Sequence, residues 1–187
     1  MTHTARNIYE LGMEKYVPKD PFCVMLGTDS PLFYPDYMTL PIFQEAQYFD
    51  PESKYIQGVA DEHHITLKYG ILPSVERKDI ETILSIWSPH NPLNPRPGIF
   101  GTCFQVFGPK NADYEAVVIP VEINSFIMGI HYELNRLPNV CTFDFEPHIT
   151  LGYFKKGFWE TVPHELYPPL KSQIGTTSFV VTGGTNA

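Results

Sequence analysis

Basic side chains are scarce in this sequence: 13 Lys and Arg stand against 21 Asp and Glu, for a formal net charge of −8. Proteins that track a duplex or a long RNA neutralise many phosphates with cations. Outside Lys155-Lys156 no basic cluster is available for that, so a duplex-binding role is disfavoured. Cysteine is scarce too. Cys23, Cys103 and Cys141 are odd in number, dispersed and without metal-type spacing. They read as reduced, buried thiols of a cytosolic protein and not as a disulfide framework or a zinc site. No apolar run approaches the ~20 residues a membrane helix needs. The N-terminal Met-Thr-His-Thr-Ala-Arg-Asn also lacks a signal peptide's apolar region. A cytoplasmic location without a membrane partner is expected.

Aromatic residues, at 14%, are plentiful, and hydrophobic residues make up 43% of the 187 positions. That suits a single globular domain spanning 1–187. A small nucleotide, held by one or two phosphates and by stacking of its bases, is compatible with an acidic, aromatic-rich chain. For any individual ring, core packing is the default reading.

Against this background one tetrapeptide occurs twice: His64-Ile65-Thr66-Leu67 and His148-Ile149-Thr150-Leu151. Side chains alternate between the faces of a strand. Ile65 and Leu67 therefore point into a core while His64 and Thr66 point together to the other side, and the second copy repeats the pattern. Two such strands suggest two walls of one groove, each with a proton-transfer group and a hydroxyl. Imidazole exchanges protons near neutral pH, so one histidine can take a proton from an attacking hydroxyl or water while the other gives one to the leaving oxygen. Help of this kind is typically worth roughly 10²–10⁴-fold. The threonine hydroxyls can hold the non-bridging phosphate oxygens. A His-X-Thr pair lacks the further imidazole, thiolate or carboxylate of zinc sites, so neither metal nor cofactor is expected.

In these two motifs the chain resembles the 2H phosphoesterase superfamily, which includes two-histidine RNA-ligase-like proteins and cyclic nucleotide phosphodiesterases. The resemblance spans roughly residues 22–181, is specific at His64/Thr66 and His148/Thr150, and is topological between them. It implies an α+β, bilobal, pseudo-symmetric fold, with antiparallel sheets lining a central groove and helices outside. It also implies phosphodiesterase activity. Candidate substrates are a cyclic oligonucleotide messenger, as for phage anti-CBASS enzymes, a 2′-5′ oligoadenylate, or an RNA 2′,3′-cyclic phosphate. The charge and aromatic content favour the first two. A nucleotide-sequestering protein without catalysis is the rival from another class.

Along the chain, 22–26 reads as a first strand ended by Gly27. The stretch 28–60, rich in Tyr, Phe and Pro over most of its length, reads as an irregular insertion or lid. The first motif strand runs to about Leu72, and Ser74 can cap the helix that follows. Ile80, Ile83, Leu84 and Trp87 fall on one helical face. Pro-rich 88–98 is a loop. Residues 99–107 and 114–123 read as a hairpin across 108–111. A second helix carries Phe126, Ile127, Ile130, Leu134 and Leu137, capped by Asn124 or Ser125. Residues 157–169 are mostly loop, and 177–181 form a last strand.

Other groove candidates follow from strand parity. Lys68 shares the face of His64 and Thr66 and can reach a phosphate. Glu62 and Glu146, each two residues before a motif histidine, can orient an imidazole or read a base edge. Tyr69 and Tyr153 fall on the core face of a regular strand, although a bulge near Gly152 can turn Tyr153 to the substrate. His63 points away from His64. His3, His90, His131 and His164 have no recognisable context.

Overall fold

The computed structural model describes residues 20–29, 39–53, 56–60, 62–88, 98–108, 112–141, 144–163 and 172–184. Its strands are β1 (Phe22–Thr28), β2 (His64–Ile71), β3 (Ile99–Gly101), β4 (Gln105–Phe107), β5 (Tyr114–Pro120), β6 (His148–Lys155), β7 (Ser172–Ile174) and β8 (Thr176–Thr182). Six of them form one antiparallel sheet in the order β4-β5-β6-β2-β1-β8, while β3 and β7 form a separate pair. The fold is α+β, and the order explains its two halves. Three strands lie on either side of the β6–β2 junction, and each half contributes one motif strand to the middle. The halves are thus fused into one sheet.

Alternation decides which face is packed. In β1, Phe22, Val24 and Leu26 are buried while the residues between them are half-covered. Ile65, Leu67, Ile149 and Leu151 join them in the core. Among the described residues, three α-helices follow strands: α1 (Pro41–Ala46), α2 (Arg77–Ile86) and α3 (Ser125–Asn135). The expected stripe of α2 packs inward through Ile80 and Leu84, and Trp87 at its end meets Phe126 of α3 edge-on, 5.9 Å between ring centres. That of α3 packs through Phe126, Ile127, Ile130 and Leu134. Full burial of one such side chain stabilises by about 1.5–3 kcal/mol. Asn124 caps α3, its side-chain oxygen accepting from Ile127 N–H at 2.9 Å, a contact worth about 1 kcal/mol.

Three expectations are corrected. Helix α2 starts at Arg77, not after Ser74, and its N-cap is Glu76 with no side-chain cap bond. The intervening turn buries Val75, whose N–H reaches Leu72 O. The run 99–107 is two strands: β3 pairs with β7, and β4 pairs with β5 in the main sheet. Phe104 then turns its ring to Trp159 at 5.1 Å. The thiols are less covered than expected: Cys103 is exposed and the other two half-buried. Within the insertion, α1 buries Phe43 against Phe154, Phe158 and Trp159. Its residues 30–38, 54 and 55 lie outside the described chain, as do 89–97, 109–111 and 164–171, so the Pro-rich loop, the hairpin turn and part of the 157–169 loop fall there, along with His3, His90 and His164.

Candidate functional site

The motif strands are neighbours, and their paired register is a single contact, Ile65 opposite Ile149. Both isoleucines are fully buried. Continuing that antiparallel register by one residue each way sets His64 across from Thr150 and Thr66 across from His148. Residues directly opposite share a face, with Cβ atoms about 4.5–5.5 Å apart, and diagonal neighbours stand about 7–8 Å apart. The two imidazoles therefore occupy one diagonal of a small square and the two hydroxyls the other. All four residues are partly exposed, on the sheet face turned away from the Ile65 and Ile149 core.

Beyond this contact each motif strand has a new neighbour. Val59 and Gln47 bridge to Gly152 and Phe154 of β6, with Ala60 N–H on Leu151 O at 2.9 Å and Tyr153 N–H on Gly58 O at 2.8 Å. On β2, Asn139 bridges to Ile71 and Val140 N–H reaches Gly70 O at 2.9 Å. Each filler is the segment that leads into the opposite motif strand. The exchange satisfies backbone groups that two diverging strands would otherwise leave bare.

Both motif strands also carry a bulge just after the threonine. Opposite β1, Met25 faces Thr66 but Val24 faces Lys68, so Leu67 is the extra residue. Opposite β5, Val118 faces Thr150 but Val117 faces Gly152, so Leu151 is extra. An extra residue reverses side-chain parity beyond it. Lys68 is consequently on the core side and not in the groove. It is 4% exposed, and its Nζ donates to Asn135 Oδ1 at 2.6 Å. Burial lowers its pKa, partly offset by Cys141. The same reversal carries Tyr69 and Tyr153 onto the face of the histidines, opposite Cys23 and Ala116. For Tyr69 this corrects the expected core placement, the residue being 45% exposed.

The histidines sit in different surroundings. Burial lowers the pKa of His64; Glu62 works against that shift, and His148 adds to it. His148 Nδ1 lies 2.8 Å from Glu146 O. A carbonyl only accepts, so Nδ1 carries a hydrogen and Nε2 is the atom left to exchange protons. Glu146 itself is exposed and acts here through its backbone. Phe107 meets the His148 ring edge-on at 5.6 Å. His63 is buried away from the site, and burial followed by His64 lowers its pKa.

Several neighbours of the site were not apparent from parity alone. His131 of α3 donates from Nδ1 to Leu67 O at 2.8 Å and stacks on Phe145 with ring centres 3.8 Å apart. Tyr114 and Tyr48 form a ladder with Tyr153. A signal for the tyrosines does exist in the sequence: each motif histidine is followed five residues on by Tyr, out of phase with the preceding alternation.

No protein-family model matches the chain, and no curated protein does. Among solved structures it is similar to Usb1 of Kluyveromyces marxianus, at 8% identity over 90% of this chain and 96% of that one, with a TM-score of 0.49. It is similar to a phosphoesterase at 18% identity, covering 87% and 88%, with a TM-score of 0.44. E. coli LigT complexed with 3′-AMP gives 17% identity, 90% and 100% coverage, and a TM-score of 0.41. These are likenesses of chain course, and the functional reading below rests on the side chains.

Proposed function

We propose that this protein is a two-histidine phosphodiesterase of the 2H type, needing no metal, that cleaves a small nucleotide. A cyclic oligonucleotide messenger is the favoured substrate, and destroying it would serve counter-defence. The observation that carries this reading is the square of His64, Thr150, Thr66 and His148 set by the Ile65–Ile149 register.

In-line displacement at phosphorus places the attacking and leaving oxygens on opposite sides, with the non-bridging oxygens between them. Imidazoles on one diagonal and hydroxyls on the other match that demand. His64, kept neutral by burial and by its neighbour, takes the proton of the attacking group, a ribose 2′-hydroxyl or water. His148 in its protonated form donates from Nε2 to the leaving oxygen, its ring held by the Glu146 carbonyl. Thr66 and Thr150 donate to the non-bridging oxygens, where charge grows in the transition state. The net charge of −8 supports a short substrate over a long polyanion.

The test is turnover of cyclic di- and trinucleotides, 2′-5′ oligoadenylate and nucleoside 2′,3′-cyclic phosphates in EDTA, wild type beside the His64→Ala/His148→Ala double variant. Cleavage by wild type alone is expected, with a bell-shaped pH–rate profile. Activity lost on chelation would remove the metal-free mechanism. Tight binding without turnover would establish the sequestering alternative.

A further inference from the structure

The two bulges do more than disturb the strands. Each adds its residue at the same place, directly after the threonine, and each thereby delivers the tyrosine five positions beyond its histidine to the site face. Tyr69 stands one same-face row beyond Thr66, and Tyr153 one row beyond Thr150. Because β2 and β6 run antiparallel, the tyrosines lie in opposite directions from the square, each roughly 10 Å from the Ile65–Ile149 pair by strand rise. A ribose and its base can span that distance from a central phosphate.

We propose that Tyr69 and Tyr153 are two base-stacking platforms, one per half, so that the substrate carries a nucleoside on each side of the scissile phosphorus. This rests on the phosphodiesterase reading and narrows it: an internal phosphodiester is preferred to a nucleoside 2′,3′-cyclic phosphate or a terminal phosphate. Two further tyrosines adjoin the Tyr153 platform. Tyr114 meets Tyr153 edge-on at 5.9 Å and interplanar 77°, and Tyr48 stacks on Tyr114 at 5.4 Å. Tyr48 N–H also donates to Tyr153 O at 3.0 Å. The insertion that supplies Tyr48 thus braces the Tyr153 platform.

The test measures binding to the catalytically silent His64→Ala/His148→Ala protein, using adenylyl-adenosine, 3′-AMP, 5′-AMP and ribose 5-phosphate. The dinucleoside is expected to bind more tightly than either mononucleotide. Tyr153→Ala and Tyr69→Ala should each weaken it by roughly 5- to 150-fold, the range for loss of one base–aromatic stack, and Phe at either place should restore most of the loss. Ribose 5-phosphate should be indifferent to both substitutions. Tyr48→Ala, which leaves the platform ring itself in place, should weaken the dinucleoside by a smaller factor. Equal affinities for the dinucleoside and the mononucleotides, or indifference of both tyrosine variants, would overturn the two-platform arrangement. If the wild type still cleaved a nucleotide in that case, the phosphodiesterase reading would stand without it. Stacking-dependent binding with no turnover by wild type would keep the platforms and remove the catalysis.

Discussion

At the fourth position after the motif histidine the β2 half carries Lys68 and the β6 half Gly152, and both are buried. The reason differs from one side to the other. On β6 the strand-like segment of the insertion lies against the chain, and a Cβ on Gly152 would come within 2.9 Å of Gly58 O and 3.0 Å of Val59 Cα. On β2 the equivalent space opens towards α3, where Lys68 reaches Asn135. The carbonyls of the bulged leucines follow suit. Leu151 O accepts from the backbone N–H of Ala60, and Leu67 O from the His131 ring. The same backbone irregularity is therefore satisfied by main chain in one half and by side chains in the other. Beyond the buried Ile and Leu of the repeated motif, what the halves share lies on the face that carries the histidine, threonine and tyrosine. Chemistry at a central phosphorus constrains that face alone; the opposite face only has to be packed.

The largest effects should come from breaking the shared face. His64→Ala or His148→Ala is expected to lower turnover by roughly 10²–10⁴-fold with nucleotide affinity largely kept, as separated by single-turnover kinetics and equilibrium binding. Thr66→Ala or Thr150→Ala removes one charge-assisted hydrogen bond instead of a proton carrier, and should cost roughly 10- to 100-fold. An alanine at either histidine that left the rate unchanged would sink the mechanism.

Gly152→Ala tests the packed face of the β6 half. The added methyl meets backbone, which cannot swing aside, so a loss of about 1–3 kcal/mol is expected in urea unfolding. The cause would be displacement of 58–59 from the strand. A neutral result would mean that the insertion yields at no cost and is not part of the sheet's support.

Acid provides a graded probe. His63, His64 and His131 all have pKa values lowered, chiefly by burial. The unfolded chain therefore binds protons that the folded chain refuses once pH falls below about 6.5. The contribution of these three histidines should be constant above that value and decline as pH drops through the window down to the folded pKa values. His131→Asn, which keeps a donor for Leu67 O, should flatten part of the decline in melting temperature against pH. A stability that rose on acidification would contradict the burial of these rings.

Much of the fold and of the site is legible in the sequence, and the boundary of legibility is physical. The repeated His-Ile-Thr-Leu gives the strand parity of the reacting face because Ile65 and Ile149 have to be buried. Helix α3 is readable from its stripe and from Asn124, since spacing and capping are local. The bulges are not local. The loss of phase after Thr66 shows in the pairing of β2 with Met25 and Val24 of β1, and within residues 64–71 the out-of-phase Tyr69 is its only trace. That one inserted residue is why Lys68 and Tyr69 exchange the faces that alternation assigns them. The pairing of 47–60 with β6 is hidden for a related reason, since its few bridges depend on where the motif strands part.

Lys68→Met sharpens the comparison with the smallest expected effect. Lys68 lies on the packed face, so a thioether of similar length should fill its space, and loss of the Asn135 contact is offset by relief of a buried ammonium. Volume-conserving exchanges of this kind usually cost less than about 1.5 kcal/mol, and breaking a single buried bond costs about 1–3 kcal/mol when one partner is stranded. Asn135 is at the end of α3 beside its C-cap, where water can replace the amine, so the lower figure applies. Nucleotide affinity and its salt dependence should be unchanged, because the cation never faces the phosphate. A fall in affinity with a shallower salt slope would instead place Lys68 in the groove, in phase with His64 and Thr66, and would remove the bulge at Leu67 from the site's design.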